Sequence, residues 1–193
     1  WTSPISFVAS SNCALYCRAK VDFVDIDLDT YNIDIDKLKK KLKISSPKIL
    51  IVVHMAGNSC EMSEIYALSK IYNFKIIEDA SHALGGKYKN NIIGNGKYSN
   101  ITIFSFHAVK MITTGEGGVA LTNDKRLYEN MELLRSHGIV KSEEKFINKK
   151  DHKWYYEMQE LGYNYRMTDI QGALGISQLK RLDKFVEKRN SLA

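Results

Sequence analysis

Cysteine is scarce in this 193-residue chain: Cys13, Cys17 and Cys60 are all there is, and no CxxC pair occurs. Cys13 and Cys17 can share a helix face, but two thiols make a poor metal site without further ligands. The three read instead as small buried hydrophobes in a reducing compartment, so a cytoplasmic protein is expected. Long apolar runs are also missing. Nothing approaches the ~20 residues a membrane helix needs, and no signal peptide is visible, so no membrane association is expected. The nucleotide-loop patterns GxGxxG and GxxxxGK[ST] are absent, which lowers dinucleotide and nucleoside-triphosphate readings. There is no Ser/His/Asp order, metal-ligand cluster, internal repeat or low-complexity segment.

What is present is ordinary in bulk. A hydrophobic content of 44% with 26% charged residues belongs to a soluble globular protein, long enough for one domain with a sizeable core. The chain opens on Trp1 in mid-pattern, and further sequence before it is expected. The net charge of +6 (28 basic minus 22 acidic) favours anionic ligands, nucleic acid among them. Much of the excess falls on residues 37–43, where Leu38 and Leu42 sit four apart among lysines. An amphipathic helix with a solvated basic face accounts for that, and no clustered aromatic–basic motif supports a nucleic-acid partner.

Periodicity gives an alternation of elements. Residues 5–19 mix small and apolar residues at helical spacing, predicting a closely packed helix. Residues 20–27 (KVDFVDID) alternate like a strand. Asp36 is placed to cap a short helix reaching Lys43. Pro47 introduces KILIVVH, a β-branched run suited to a strand buried on both faces. A helix over 63–73, the strand KIIEDA, a hairpin over 85–96 with Asn90 and Asn91 at its turn, and strands over 101–106 and 119–122 follow. Asp124 caps a helix to His137. Residues 141–155 read as a loop, and 168–190 as one long amphipathic helix capped by Thr168. Strands and helices in alternation imply an α/β layer with a mainly parallel sheet and flanking helices.

Residues 76–118 carry the chemistry. In such sheets ligands bind beyond the carboxyl ends of the strands, and Asp79, Ser105 and Lys110 all lie at or just after predicted strand ends. A lysine amine is nucleophilic only when deprotonated, and Lys110 has apolar neighbours in Val109, Met111 and Ile112. A carboxylate such as Asp79 can keep a pyridine nitrogen protonated and make its ring an electron sink. Ser105 and the N–H groups around Gly115, Gly117 and Gly118 can hold a phosphate. These are the parts of a pyridoxal phosphate (PLP) site. Each also has a plain reading: a surface lysine, a turn-capping aspartate, a satisfied core histidine at His82. His54, after the strand in VVHMAG, fits the same rim or the core equally well.

The stretch IIEDASHALGG…FSFHAVKMITTGEGGVALTND, with TSPISFVASSNCALYCRAKVDFVDIDLDTYNID, LRSHGI and YYEMQELGYNYRMTDIQGALGISQLKRLDKFVEKRN, resembles the DegT/StrS-type nucleotide-sugar aminotransferases over nearly the whole chain. Within that family the wording is most similar to the branch serving pseudaminic acid biosynthesis. The resemblance implies the aspartate-aminotransferase (fold type I) architecture, with residues 1–193 part of its large PLP-binding domain and 168–190 leading toward a C-terminal small domain that has no counterpart here, like the upstream phosphate loop. It implies a PLP enzyme moving an amino group from L-glutamate to the 4-keto carbon of a nucleotide-linked 6-deoxyhexose. By position, Lys110 matches the lysine that carries the cofactor and shuttles the proton, Asp79 the partner of the ring nitrogen, and His82 the residue near the ring hydroxyl. Phe7 matches the aromatic residue stacked on the ring and Ser105 a phosphate ligand. Asn164 matches a phosphate ligand donated by a second subunit, which implies a homodimer with a shared site. His107 is placed to face the substrate. A dehydratase branch has histidine at the lysine position, so Lys110 favours amino transfer. The alternative is a catalytically incomplete or non-catalytic interaction module of the same fold.

Overall fold

A computed structural model describes residues 1–148 and 154–192; the loop expected over 141–155 therefore lies partly outside the described residues. Helix α1 is Ala9–Tyr16, α2 Ile35–Leu42, and strand β1 Ile49–Val53. Then come α3 Met62–Tyr72, β2 Lys75–Asp79, the short hairpin strands β3 Lys87–Tyr88 and β4 Asn91–Ile92, β5 Ile101–Ser105 and β6 Gly118–Leu121. The chain continues through α4 Lys125–Arg135, β7 Ile139–Val140, β8 Glu157–Met158, α5 Asp169–Leu179 and α6 Leu182–Leu192.

The central sheet has the order β1-β2-β5-β6. The first three strands are parallel, with Val53 opposite Asp79 and Asp79 opposite Ile103. The fourth runs antiparallel, with Ser105 opposite Gly118. The β-branched run at 49–53 packs one face completely, Leu50 and Val52 being fully buried, while Ile49 and Ile51 stay partly open. Leu38 and Leu42 of α2 and Met62, Ile65 and Leu68 of α3 close that face into the main core with Ile76. Fully burying each such side chain contributes roughly 1.5–3 kcal/mol. Ala80, Ala83, Ile93 and Phe104 form a second cluster under the turn after β2.

Several expected boundaries move, each for a local reason. The helix expected over 5–19 is confined to α1. Arg18, in the left-handed region (φ 55°), donates to Leu15 O and ends it. Only Ser10 of α1 is buried, so the helix is not closely packed, and Cys13 and Cys17 are exposed; Cys60 alone is buried. Its thiol is pushed up to about 12 by that burial. Residues 20–27 form no strand. Val24 and Ile26 do point inward, but only single bridges, Thr2 to Phe23 and Ile26 to Ile33, are available to them. The cap of α2 is Asp34, not Asp36: Asp34 has extended backbone and accepts from the N–H groups of Asp36 and Lys37. The hairpin turns at Lys89 and Asn90, one residue earlier than expected, because Tyr88 pairs with Asn91 and Lys89 takes the positive φ (44°).

The single helix expected over 168–190 is two. Thr168 forms the predicted cap, as a full capping box with Gln171. At its far end Arg181 N–H bonds Gln178 O, a tight three-residue turn that interrupts the ladder. The break lets α6 lay Leu182 and Val186 against Gly85, whose Cβ, if it had one, would lie 3.0 Å from Val186 Cγ2. No Gly or Pro marks the bend.

Candidate active site

The rim is made where β1, β2 and β5 end together. His54 N–H donates to Asp79 O at 3.1 Å, and Ala80 N–H to Ile103 O at 2.9 Å, so the three strand ends are tied before any side chain acts. Strand alternation then sends Glu78 and Asp79 to opposite faces. Glu78 goes into the protein and Asp79 to the rim.

Beneath the rim, Glu78 and His54 form a buried polar network. His54 is fully buried and its Nε2 lies 2.8 Å from Glu78 Oε2. Its Nδ1 accepts from Cys60 N–H at 3.2 Å, which places the ring proton on Nε2. Thr102 Oγ1 donates to Glu78 Oε1 at 3.1 Å, and Ser99 Oγ donates to the same oxygen. Burial raises the Glu78 pKa, but the hydrogen bonds from His54, Ser99 and Thr102 outweigh it and leave the carboxyl below its ordinary value. His54 is therefore a packing residue, which decides between the two readings the sequence left open.

Asp79 is held from both sides. Ser10 Oγ donates to Oδ2 at 2.6 Å, across 69 residues. Ser81 donates to Oδ1 through its Oγ at 2.6 Å and its N–H at 3.2 Å. His82 follows in the same turn, half-buried. Its pKa is lowered, first by desolvation and then by the positive charge of Lys110, against the opposing effect of Asp79. An imidazole, an amine and a carboxylate thus share one electrostatic neighbourhood.

Lys110 sits in the β5–β6 loop, itself half-buried. The loop is closed by Phe106 N–H to Gly117 O (2.8 Å), Thr114 N–H to Phe106 O (2.9 Å) and Lys110 N–H to His107 O (3.0 Å). Arg189 of α6 donates to Lys110 O at 3.3 Å. Gly118 must be glycine for steric reasons, since a Cβ there would stand 2.8 Å from Phe104 O. Ser105 closes β5 at the same end, and its Oγ accepts from His107 N–H at 3.3 Å. His107 Nε2 lies 3.8 Å from Glu116 Oε1, both exposed.

Phe7 lies just before α1 and is largely exposed (74%). Its carbonyl accepts from Ser10 N–H at 3.2 Å, so the turn carrying it is the turn that reaches Asp79. Asn164 is placed apart from this rim. It is exposed and bridges to Ser136 beside α4. A cleft of about 670 Å³ lies near that bridge, lined by Arg135, His137, Lys141 and Arg166 among others. It contains none of Asp79, His82, Ser105 or Lys110, and the chemistry converges on the strand-end rim instead. The sequence reading missed Ser10, Ser81 and Arg189. Ser81 had a local signal, an aspartate two residues before a serine N–H; Ser10 and Arg189 are long-range contacts with none.

The donor set fits PLP. A half-buried amine in the loop after β5, a doubly clamped carboxylate at the end of the neighbouring β2, and a hydroxyl at the end of β5 itself match its aldehyde, ring nitrogen and phosphate. This fold and this rim define an α/β protein built like the large domain of fold type I aminotransferases. The chain belongs to the DegT/DnrJ/EryC1/StrS aminotransferase family, whose model matches residues 2–193. It is 48% identical over 194 residues to the UDP-4-amino-4,6-dideoxy-N-acetyl-beta-L-altrosamine transaminase of Campylobacter jejuni, covering 100% of this chain and 48% of that protein. The structure is similar to Helicobacter pylori PseC, an aminotransferase involved in the biosynthesis of pseudoaminic acid, with TM-score 0.82 and 38% identity over 94% of this chain and 46% of that one. A sugar aminotransferase from Streptococcus pneumoniae in its PLP form matches with TM-score 0.81 and 28% identity over 98% and 50% of the two chains. The chain thus spans about half the length of the curated relatives it matches.

Proposed function

We propose that this chain forms the cofactor-binding part of a PLP-dependent sugar-nucleotide aminotransferase. It moves an amino group from L-glutamate to the 4-keto carbon of a nucleotide-linked 6-deoxyhexose, for cell-surface or flagellin sugars of the pseudaminic acid type. The observation that carries this is a serine-clamped Asp79 at the end of β2, with His82 in the next turn and Lys110 in the loop after the neighbouring β5, in a chain with named sugar transaminases among its relatives.

When bound, PLP supplies a ring that stabilises negative charge on the carbon losing its proton. The protein's part is positional. Lys110 Nζ carries the cofactor and then moves the proton. The Asp79 carboxylate holds the proton on the ring nitrogen. His82, whose pKa is lowered first by desolvation, meets the ring hydroxyl. Ser105 takes the phosphate, Phe7 covers the ring face, and His107 faces the substrate. Asn164 serves the phosphate of a second copy, making the active form a homodimer. Its exposure supports that role, as do the exposed, mutually stacked rings of Tyr163 and Tyr165 beside it (centroids 4.9 Å apart). No helix among the described residues is long and apolar enough to cross a membrane.

The test is an assay of the protein expressed from its full coding sequence with L-glutamate and a panel of 4-keto nucleotide sugars, scoring 2-oxoglutarate and the amino sugar by mass spectrometry. Amino transfer to at least one 4-keto sugar is expected. Water loss from the sugar without amino transfer would point to the dehydratase branch instead.

A further inference from the structure

Asp79 is not an isolated carboxylate. Ser81 fills Oδ1 with two hydrogen bonds, and Ser10 fills one position on Oδ2. A carboxylate offers about four acceptor positions, so three are used by serines, and the fourth lies on the oxygen that Ser10 orients. Ser10 is itself fixed. It is 5% exposed, in a helix where it alone is buried, and its Oγ lies 2.8 Å from Ser6 Oγ. Since Ser10 spends its one proton on Asp79, Ser6 is the donor in that pair, giving a chain of hydroxyls from Ser6 through Ser10 to Asp79. Such chains polarise each bond in one direction. The same turn holds Phe7, whose carbonyl accepts from Ser10 N–H.

We propose that Ser10 is a positioning residue for the cofactor: its hydroxyl fixes the plane of the Asp79 carboxylate so that the remaining Oδ2 lone pair points at the pyridine N–H. The inference rests on the reading of the rim as a PLP site. It assigns α1 a double task, with Phe7 and Ser10 setting the ring face and the ring nitrogen from one turn.

The test compares PLP with its 1-deaza analogue, which has carbon in place of the ring nitrogen. Dissociation constants of both are measured on the full-length wild type, Ser10→Ala, Ser10→Cys and Ser10→Thr, with melting temperatures recorded alongside. Ser10→Ala removes a hydrogen bond to a charged group and weakens PLP about tenfold. It leaves the analogue within about twofold, because without a ring N–H the orientation of Asp79 no longer matters. Ser10→Cys keeps the volume but only a weak donor, so it shows the same selective loss even if the smaller alanine disturbs α1. Ser10→Thr keeps the hydroxyl and retains the wild-type preference. Equal loss for both ligands, or loss for neither, overturns the proposal; the first would make Ser10 a support for α1 alone. A wild type that does not distinguish the two ligands overturns the reading of Asp79, and the proposal with it.

Discussion

Replacing His54 with alanine tests the network that sets the strand ends. The substitution removes the only ring that reaches both Glu78 Oε2 and Cys60 N–H. It leaves a carboxylate that is 6% exposed on its side chain with two hydroxyl donors and no ring partner. Removing the ring donor from a buried carboxylate forfeits a hydrogen bond to a charged group and leaves a cavity, about 2–4 kcal/mol together. That is a large part of the ~5–15 kcal/mol that holds a domain together, and for a chain of this size it lowers the melting temperature by on the order of 10 °C. Glu78→Gln is milder, about 1–2 kcal/mol. Its amide oxygen can accept from His54 while its NH₂ turns toward Ser99 and Thr102, whose hydroxyls can accept. The pH dependence separates the two effects. The folded Glu78 pKa lies below the unfolded one, so the stabilisation is complete above the usual carboxylate value of ~4.3 and is lost as pH falls through the folded value. Glu78→Gln should flatten the stability profile in that acid window and nowhere else. Urea unfolding at pH 7 and through the acid range is the assay. A His54→Ala cost under about 1 kcal/mol, or a Glu78→Gln cost exceeding it, would refute the account of this network.

Three further outcomes follow from the rim. Lys110→Ala removes the cation that helps depress His82, so the His82 titration followed by NMR without cofactor should move up toward its ordinary value of 6.5. It should stop short of that value, because desolvation, the larger cause, remains; an unchanged midpoint would separate the two residues. Asp79→Asn removes the opposing anion and should move the same midpoint further down. Gly118→Ala places a methyl 2.8 Å from Phe104 O, a backbone atom that cannot swing away. It should cost about 1–3 kcal/mol in urea unfolding through the β5–β6 pair, and wild-type stability would show that the loop gives way instead.

Most of this architecture is legible in local pattern because local physics dictates it. The β-branched run at 49–53, the Asp124 cap and the Thr168 capping box need only neighbours within a few residues. The placement of Asp79, Ser105 and Lys110 at strand ends follows from the alternation of elements. What the pattern cannot carry is anything that depends on partners far along the chain. Val24 and Ile26 alternate like a strand yet find only isolated bridges. Cys13 and Cys17 are at helical spacing, yet Cys17 lies just past the end of α1, a helix that buries only Ser10. The bend between α5 and α6 has no breaker residue, and the contact it permits, of Leu182 and Val186 with Gly85, lies some hundred positions away in the chain. Ser10 reaches Asp79 across 69 positions, and no periodicity reports that. The partners that make His54 a packing residue, Glu78 and Cys60, likewise lie outside its local pattern.

Lys110 is the residue proposed to carry PLP. Borohydride reduction of the full-length protein incubated with PLP, followed by peptide mapping, tests this most directly. A pyridoxyl group on Lys110, absent along with the visible absorbance of bound cofactor in Lys110→Ala, is the predicted result. A label on any other lysine, or none on the folded wild type, would contradict the assignment.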